Sequence, residues 1–328
     1  MKKMSAKKIC ACYLIVIQLL ILMMWGTLWG AYAVLAKIGE RCNDDLGVTY
    51  YTVQADSIPD SFKGLRIAQI SDLHNAEFGE DNIRLLTMLK ETKPDMIAIT
   101  GDLVDSDRTD VDIAISFAKE AVKIAPCYYI LGNNEVVIDD YEAFEAALVA
   151  AGFVVLHDEA VEFVYNGESL QLFGYDDPYL YTYKRKKMAE AARAVARVSG
   201  ATSEEIKKVF FDVAESEAEY EEQIHRRLQA LEIEKDDFTI LLSHRPELYE
   251  EYGKIDADLV LTGHAHGGQI RIDGIGGIYA PTQGLFPKYT EGVFVEGDMH
   301  MVVSRGLGNS GFPYRINNPP EIVIIDIQ

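Results

Sequence analysis

The sequence predicts an α/β domain built on two sheets and preceded by one membrane-spanning helix. A long apolar run opens the chain, apolar strand runs then alternate with amphipathic helical segments, and a strand-rich C-terminal part follows a hairpin signal. The 328 residues suit an N-terminal appendage plus one large α/β domain, or two small domains.

From Ile9 to Ala36 the chain is almost wholly apolar, with Gln18 and Thr27 the main polar interruptions. As a helix, roughly 28 residues span about 42 Å, more than the ~30 Å hydrocarbon core of a bilayer. Lys2, Lys3, Lys7 and Lys8 precede the run, whereas the flank from Lys37 to Asp45 mixes acids with bases. The Lys/Arg excess therefore places the N-terminus in the cytoplasm. Trp25, Trp29 and Tyr32 suit the far interface. Ala31-Tyr32-Ala33 resembles a signal-peptidase site, but the run is about twice the usual signal-peptide core, which favours an uncleaved anchor. Either way the rest is exported. The predicted organisation is a cytoplasmic tail at 1–8, a transmembrane signal anchor at 9–36, a linker at 37–55 and an extracytoplasmic domain at 56–328.

Within that domain Leu65–Ser71, Met96–Thr100 and Cys127–Leu131 read as buried strands. Helical patterns follow each: Asn82–Lys93, stopping before Pro94, then Val111–Ile124, then about Tyr141–Ala151. This order implies a parallel sheet with right-handed crossovers. Val161–Val164 and Leu170–Phe173 flank Asn166-Gly167, a pair suited to a type I′ hairpin turn. Phe238–Leu242 and Leu259–Leu261 are further buried strands, and Ile322–Ile327 ends the chain. Between the hairpin and Phe238, residues 183–236 form a charged insertion of helical pattern. Thr202 and Glu205 fit a capping box. Ile206, Phe210 and Val213, then Tyr220, Ile224, Leu228 and Leu231, keep helical spacing. The insertion is read either as a solvated hairpin packed on the domain or as a cap over the active site.

The formal net charge of −21 argues against nucleic acid or anionic headgroups as a main partner. A phosphate substrate would have to be drawn in by bound cations or a few arginines. No C-x-x-C pair occurs among Cys10, Cys12, Cys42 and Cys127, so a zinc knuckle is not indicated. Cys42 and Cys127 pair only if the fold brings them together.

The informative polar residues sit where apolar runs end. Ser71-Asp72-Leu73-His74, Gly101-Asp102, Gly132-Asn133-Asn134-Glu135, Ser243-His244 and Gly263-His264-Ala265-His266-Gly267 each close a strand. Ligands bind at the carboxyl ends of strands in open α/β sheets, so the strand ends converge on one site. Asp72 and His74, like His264 and His266, are two apart and face the same way on extended backbone. Mixed Asp, His and Asn donors suit Mn²⁺, Fe or Zn²⁺ better than Mg²⁺ or Ca²⁺. His157, His225 and His300 match no such position and read as ordinary polar residues.

From Gly64 onward these motifs resemble the calcineurin-like metallophosphoesterases, whose pattern is D-x-H, G-D, G-N-H-[DE], H and G-H-x-H. Gly267-Gly268-Gln269 and the blocks at 284–289, 304–309 and 312–318 are similar to the YkuE-like membrane-associated branch. The resemblance implies the α/β/β/α layers of the metallophosphoesterase sandwich. It implies a first metal on Asp72, His74 and His266, a second on Asn133, His244 and His264, and Asp102 bridging both. It also implies in-line attack at phosphorus in a two-metal hydrolysis. Arg245, Arg305 and Arg315 are candidate phosphate clamps. The chain departs from the pattern at Asn134, where the family usually has a catalytic His. An Asn amide donates a hydrogen bond but delivers no proton near neutral pH.

The reading is therefore a dinuclear phosphoesterase acting on a phosphodiester, phosphomonoester or pyrophosphate. Its substrate is a phosphate-containing small molecule or a lipid-linked envelope component. The rival, resting on Asn134, is a catalytically impaired metal-binding domain with a binding or regulatory role. The sequence leaves the oligomeric state open.

Overall fold

The computed structural model describes residues 6–55, 57–198, 217–234 and 238–328. It begins with one continuous helix, α1 (Ala6–Asp44), and strand β1 (Gly47–Val53) follows almost at once. The segment 37–55, expected as a linker, is thus the last turns of α1 and an edge strand. The charged residues of 37–45 mark the end of the apolar face, not the end of the helix, and the Val-, Thr- and Tyr-rich Gly47–Val53 has strong strand propensity.

The remaining strands of the first sheet are β2 (Arg66–Ile70), β3 (Met96–Thr100), β4 (Cys127–Ile130) and β5 (Val154–Val155). Helices α2 (Ile83–Thr92), α3 (Val111–Ala121) and α4 (Tyr141–Ala151) connect them, as the periodicity predicts. Lys93 turns left-handed ahead of Pro94 to stop α2, and the Asp110 carboxylate caps α3 by accepting from the Asp112 N–H. The second sheet starts with the hairpin β6 (Glu159–Tyr165) and β7 (Glu168–Gly174). It turns on Asn166 (φ 52) and Gly167 (φ 87), both left-handed as a type I′ turn requires. β8 (Thr239–Leu242) and β9 (Leu259–Thr262) follow. Two short ribbons come next, β10 (Arg271–Ile272) with β11 (Gly276–Gly277) and β12 (Tyr279–Ala280) with β13 (Gly284–Leu285). Strands β14 (Gly292–Glu296), β15 (Met299–Val303) and β16 (Glu321–Ile327) complete the chain.

The first sheet has the order β1-β16-β2-β3-β4-β5 and the second β14-β15-β9-β8-β7-β6. β2 to β5 are parallel, as are β7, β8, β9 and β15. The first sheet is not parallel throughout: β16 runs antiparallel to β2 and carries β1 beside it.

Strict alternation builds the layers. Ile67, Met96, Ala98 and Ile130 face Ile240, Leu242, Leu259 and Leu261 between the sheets. Ala68, Ile70, Ile97 and Ile99 face the helices with Leu85, Leu89, Phe117 and Leu148. Leu241 and Val260 face the other way, toward Ile224, Leu228 and Tyr252. This is the expected α/β/β/α sandwich.

The insertion supplies helices α5 (Tyr179–Val198) and α6 (Glu217–Gln229). The first starts at Tyr179, before the predicted 183, and Tyr179, Leu180 and Tyr183 pack on the first helical layer. Ile224, Leu228 and Leu231 bury the apolar face of the 217–234 stretch against the second sheet. Arg227 forks onto Asp158 at 2.8 and 2.7 Å and lies over the Tyr175 and Tyr181 rings, fastening the helix further. Thr202, Glu205, Ile206, Phe210 and Val213 lie outside the described residues. Cys42 and Cys127 are free thiols: Cys127 is buried in the core, while the Cys42 sulfur accepts from the Asn318 N–H.

Candidate metal centre

The two sheets bring their strand ends to a common edge. Hydrogen bonds within and between the sheets fix this: Asp72 N–H to the Gly101 carbonyl (3.0 Å), Gly263 N–H to the His244 carbonyl (3.1 Å) and, across the sandwich, His244 Nδ1 to the Thr100 carbonyl (2.6 Å). The last contact leaves His244 Nε2 pointing at Asp102, 3.3 Å from Oδ2.

Asp72, His74 and His266 form one buried group of donors, and Asp102, His244 and His264 a second. His74 Nε2 stands 3.3 Å from His266 Nε2, 3.8 Å from Asp72 Oδ1 and 3.4 Å from Asp102 Oδ2. Asp102 Oδ2 therefore lies between the two groups. The convergence differs in origin from the extended alternation predicted. Asp72 (φ 53), His74 (φ 45), Asp102 (φ 55), His264 (φ 63) and His266 (φ 47) all adopt left-handed backbone. Such conformations cost roughly 1–3 kcal/mol each for non-glycine residues and concentrate at functional sites. Tight turns, not strands, aim these side chains. Crowding is equally informative: a Cβ at Gly132 would collide with Asp102 Oδ1, and one at Gly263 with Ser71 Oγ.

The donors fit divalent cations. Asn133 Oδ1, His244 Nε2 and His264 Nε2 are buried with no hydrogen-bond partner, which in a native site calls for an explanation. A cation accepting these lone pairs supplies it. Burial raises Asp72, yet His266 and His74 outweigh it and hold the carboxyl below its ordinary range. Burial likewise opposes ionisation of Asp102, and His244 overrides it. Burial disfavours the His244 cation, but Asp102 outweighs it and pulls the imidazole up to about 10. Burial, then Arg245, depresses His264, and burial depresses His266 to about 3. Both rings stay neutral and keep the lone pair that metal ligation needs.

Asn134 is nearly buried and turned inward. Its Nδ2 donates to Asp102 Oδ2 (2.7 Å), its backbone N–H donates to Asp102 Oδ1 (2.8 Å), and its Oδ1 accepts the Ser106 N–H (3.0 Å). Sequence reasoning gave no role to the neighbouring Glu135. Its fully buried carboxylate accepts from the backbone N–H groups of Asp102 (3.0 Å), Gly132 (2.8 Å) and Val104 (3.2 Å), tying two strand-end turns together. The acid at the end of Gly-Asn-Asn-Glu was its only sequence signal.

The arginines are less available than predicted. Arg245 is buried and bidentate to Asp177 at 2.7 and 3.0 Å. Arg305 donates to Glu321 at 2.6 Å and pairs with Glu291 at 3.3 Å. Arg315 is fully buried, donates to the Gly308 carbonyl at 2.6 Å and abuts His266 Nδ1 at 3.4 Å. Two are thus committed to carboxylates and the third braces a cluster residue from behind. His157, His225 and His300 stand outside both donor groups and contact Asp176, Glu251 and the Asp298 carbonyl.

A two-sheet sandwich whose strand ends gather two such donor groups defines a metal-dependent phosphoesterase. Residues 65–268 match the calcineurin-like phosphoesterase family, to which the chain belongs. It is 27% identical to the metallophosphoesterase YkuE of Bacillus subtilis over 85% of both chains. It is 23% identical to the phosphodiesterase YaeI of Escherichia coli, over 82% of this chain and 84% of that one. A Bos taurus transmembrane protein with metallophosphoesterase domain is 24% identical over 86% of this chain and 57% of its own length.

Proposed function

We infer that the protein is a dinuclear phosphoesterase that works at the outer face of a membrane. The observation that carries the assignment of ligands is the shared position of Asp102 Oδ2, 3.4 Å from His74 Nε2 and 3.3 Å from His244 Nε2. Asp72, His74 and His266 would hold one cation, Asn133, His244 and His264 the other, and Asp102 would bridge them. Mn²⁺, Fe or Zn²⁺ suits this donor set. When bound, the cations supply Lewis acidity for hydrolysis of a phosphate ester or pyrophosphate. The chain's own residues orient them: Thr100 sets the His244 ring, Asn134 and Glu135 hold Asp102, and Arg315 backs His266. Elemental analysis of reconstituted protein should approach two metal equivalents. Asp102→Asn should lower metal content and hydrolysis together, and full activity in that variant would overturn the assignment.

The helix supports membrane attachment. Ile21–Asp44 is long and apolar enough to cross a bilayer, and Leu22, Met23, Trp25 and Trp29 stand exposed on it. With Lys2, Lys3, Lys7 and Lys8 on the cytoplasmic side, the domain would face outward, near lipid-linked phosphate esters of the envelope.

Asn134 favours a second reading, a domain that binds metal but turns over slowly. Its amide donates toward Asp102 and provides no titrating proton.

A further inference from the structure

The block at 312–318 divides by direction. Arg315 and Asn318 are fully buried and reach His266, Arg315 at its Nδ1 (3.4 Å) and Asn318 by donating to its carbonyl (2.7 Å). Phe312 is 43% exposed, Pro313 beside it is exposed and Tyr314 is half-buried. The Phe312 and Tyr314 rings have centroids 5.9 Å apart, Tyr314 meets Tyr32 of α1 at 6.5 Å, and Tyr32 meets Trp29 at 6.0 Å. Such separations are those of interacting rings. A continuous aromatic ladder therefore leads from the domain onto the helix.

The ladder meets α1 at a defined height. About 20 residues of helix cross the ~30 Å hydrocarbon core, so an apolar run that starts at Ile9 leaves it near Trp29. Trp and Tyr favour that boundary, and Trp29 and Tyr32 stand exposed there. Val34, Leu35 and Ile38, farther along, are exposed as well, so the apolar face continues past the core. Tyr314 lies against the helix at Tyr32 and at Gly39, within that stretch. The tip Phe312-Pro313-Tyr314 is thus held beside the part of α1 that would occupy the interfacial layer.

We propose that Phe312, Pro313 and Tyr314 form a second membrane contact, entering the interfacial layer of the leaflet from which α1 emerges. This rests on the membrane reading above and adds a lipid-binding surface on the domain itself. The net charge of −21 argues against attraction to anionic head groups, whereas a Phe-Pro-Tyr tip binds by apolar burial and needs no charged lipid. The contact also orients the donors. The Gln269 amide donates to the Phe312 and Tyr314 carbonyls at 3.1 and 3.0 Å, and the Gln269 N–H donates to the His266 carbonyl at 2.9 Å. The edge of the sandwich that carries His266 is therefore the edge tied to the lipid.

The test uses tryptophan fluorescence, because the chain holds only Trp25 and Trp29. Full-length protein is placed in phosphatidylcholine vesicles with bromine near the top of the acyl chains. Three single-tryptophan forms are compared. Trp25→Phe leaves Trp29 as the reporter on α1. Phe312→Trp in the Trp25→Phe/Trp29→Phe background reports on the tip, and Val164→Trp in the same background is the control. Val164 is exposed on the β6–β7 hairpin where β7 begins, and β7 runs parallel to β8, whose carboxyl end carries His244, so this site lies away from the donor edge. The brominated lipid should quench the tip and α1 reporters but not the control, and the tip should be protected from aqueous acrylamide. A tip open to acrylamide and unquenched by lipid, with the α1 reporter quenched, overturns the contact and leaves the membrane helix standing. A tip shielded from both quenchers overturns it in favour of a protein contact, such as a second copy of the chain. Quenching of the control as strong as that of the tip also overturns it. If the α1 reporter itself escapes the lipid quencher, the membrane reading falls and this contact with it. Pro313→Trp in the same background, at the exposed neighbouring position, gives the same reading should the Phe312 variant not fold.

Discussion

At Asn134 one side chain fixes the carboxylate on which both donor groups meet. Its amide holds Asp102 Oδ2 from one end and the Ser106 N–H from the other. Removing an outer partner of a metal ligand typically lowers metal affinity about 10- to 100-fold, so Asn134→Ala should show that loss in a metal titration. Asn134→His restores a titrating group. General acid catalysis is worth roughly 10²–10⁴-fold, so alkyl esters should gain far more than nitrophenyl esters, with a new ionisation in the pH–rate profile. Equal rates across a leaving-group series would place the proton source elsewhere. The donor set was legible because each member ends an apolar run, a local pattern. The fate of the arginines was not. Asp177 is 68 positions from Arg245, so that pair exists only once the fold is closed, and Glu291 meets Arg305 only when the β14–β15 hairpin brings its two ends together. Left-handed backbone at Asp72 and His74 was equally hidden, because neither residue type announces it as glycine does.

Among the elements, α1 behaves as part of the domain. Asn43 Nδ2 donates to the Pro313 carbonyl and Asn43 Oδ1 accepts the Arg315 N–H, both at 2.8 Å, while Gly39 packs against the Tyr314 ring. A soluble fragment that starts at residue 46 loses these contacts; one that starts at residue 38 keeps them. At about 1 kcal/mol per net hydrogen bond, the shorter fragment should melt several degrees lower in calorimetry. Equal melting temperatures would show that α1 is only tethered. The insertion's predicted helical spacing held for Ile224, Leu228 and Leu231, because their period follows from a buried face. Its depth of contact through Arg227 did not show, since Asp158 and Tyr175 come from another part of the chain.

His157 links elements in a way that pH should reveal. It pairs with Asp176 at 2.9 Å and Glu145 at 3.2 Å, joining the loop after β7 to α4. The Asp176 hydrogen bond raises the imidazole to about 9, against the opposing effect of burial. Burial raises Asp176 in spite of the imidazolium, so the short contact is the firmer basis for the pair. A pKa raised in the folded state gives stability that is full below about 6.5 and lost as pH climbs through about 9. The ring is partly exposed, so the effect is at most about 1 kcal/mol. Denaturant unfolding should lose stability across that window in the parent, and His157→Gln should flatten the slope.

For the whole molecule, the layers place the metal centre at one edge of the sandwich and α1 leads from that edge. The order of strands β2, β3, β4, β8 and β9 was legible from alternating apolar runs. The return of β16 to pair between β1 and β2 was not, since no local residue encodes a partner so far away in sequence. The outward orientation proposed above makes a direct prediction. Protease added to intact cells or right-side-out vesicles should reach epitopes beyond Asp45. Access only after lysis would reverse the topology.

The unbroken run of α1 from Ala6 to Asp44, docked at its far end through Asn43, has a kinetic consequence. With α1 across the bilayer as proposed, a stiff post would set the reaction centre at one height above the leaflet and give it little freedom to sweep outward. For a substrate that stays in the leaflet, the relevant concentration is then molecules per unit area, and encounter is a two-dimensional search. Adding buffer leaves the rate alone; adding inert lipid, which thins the substrate across the surface, slows it.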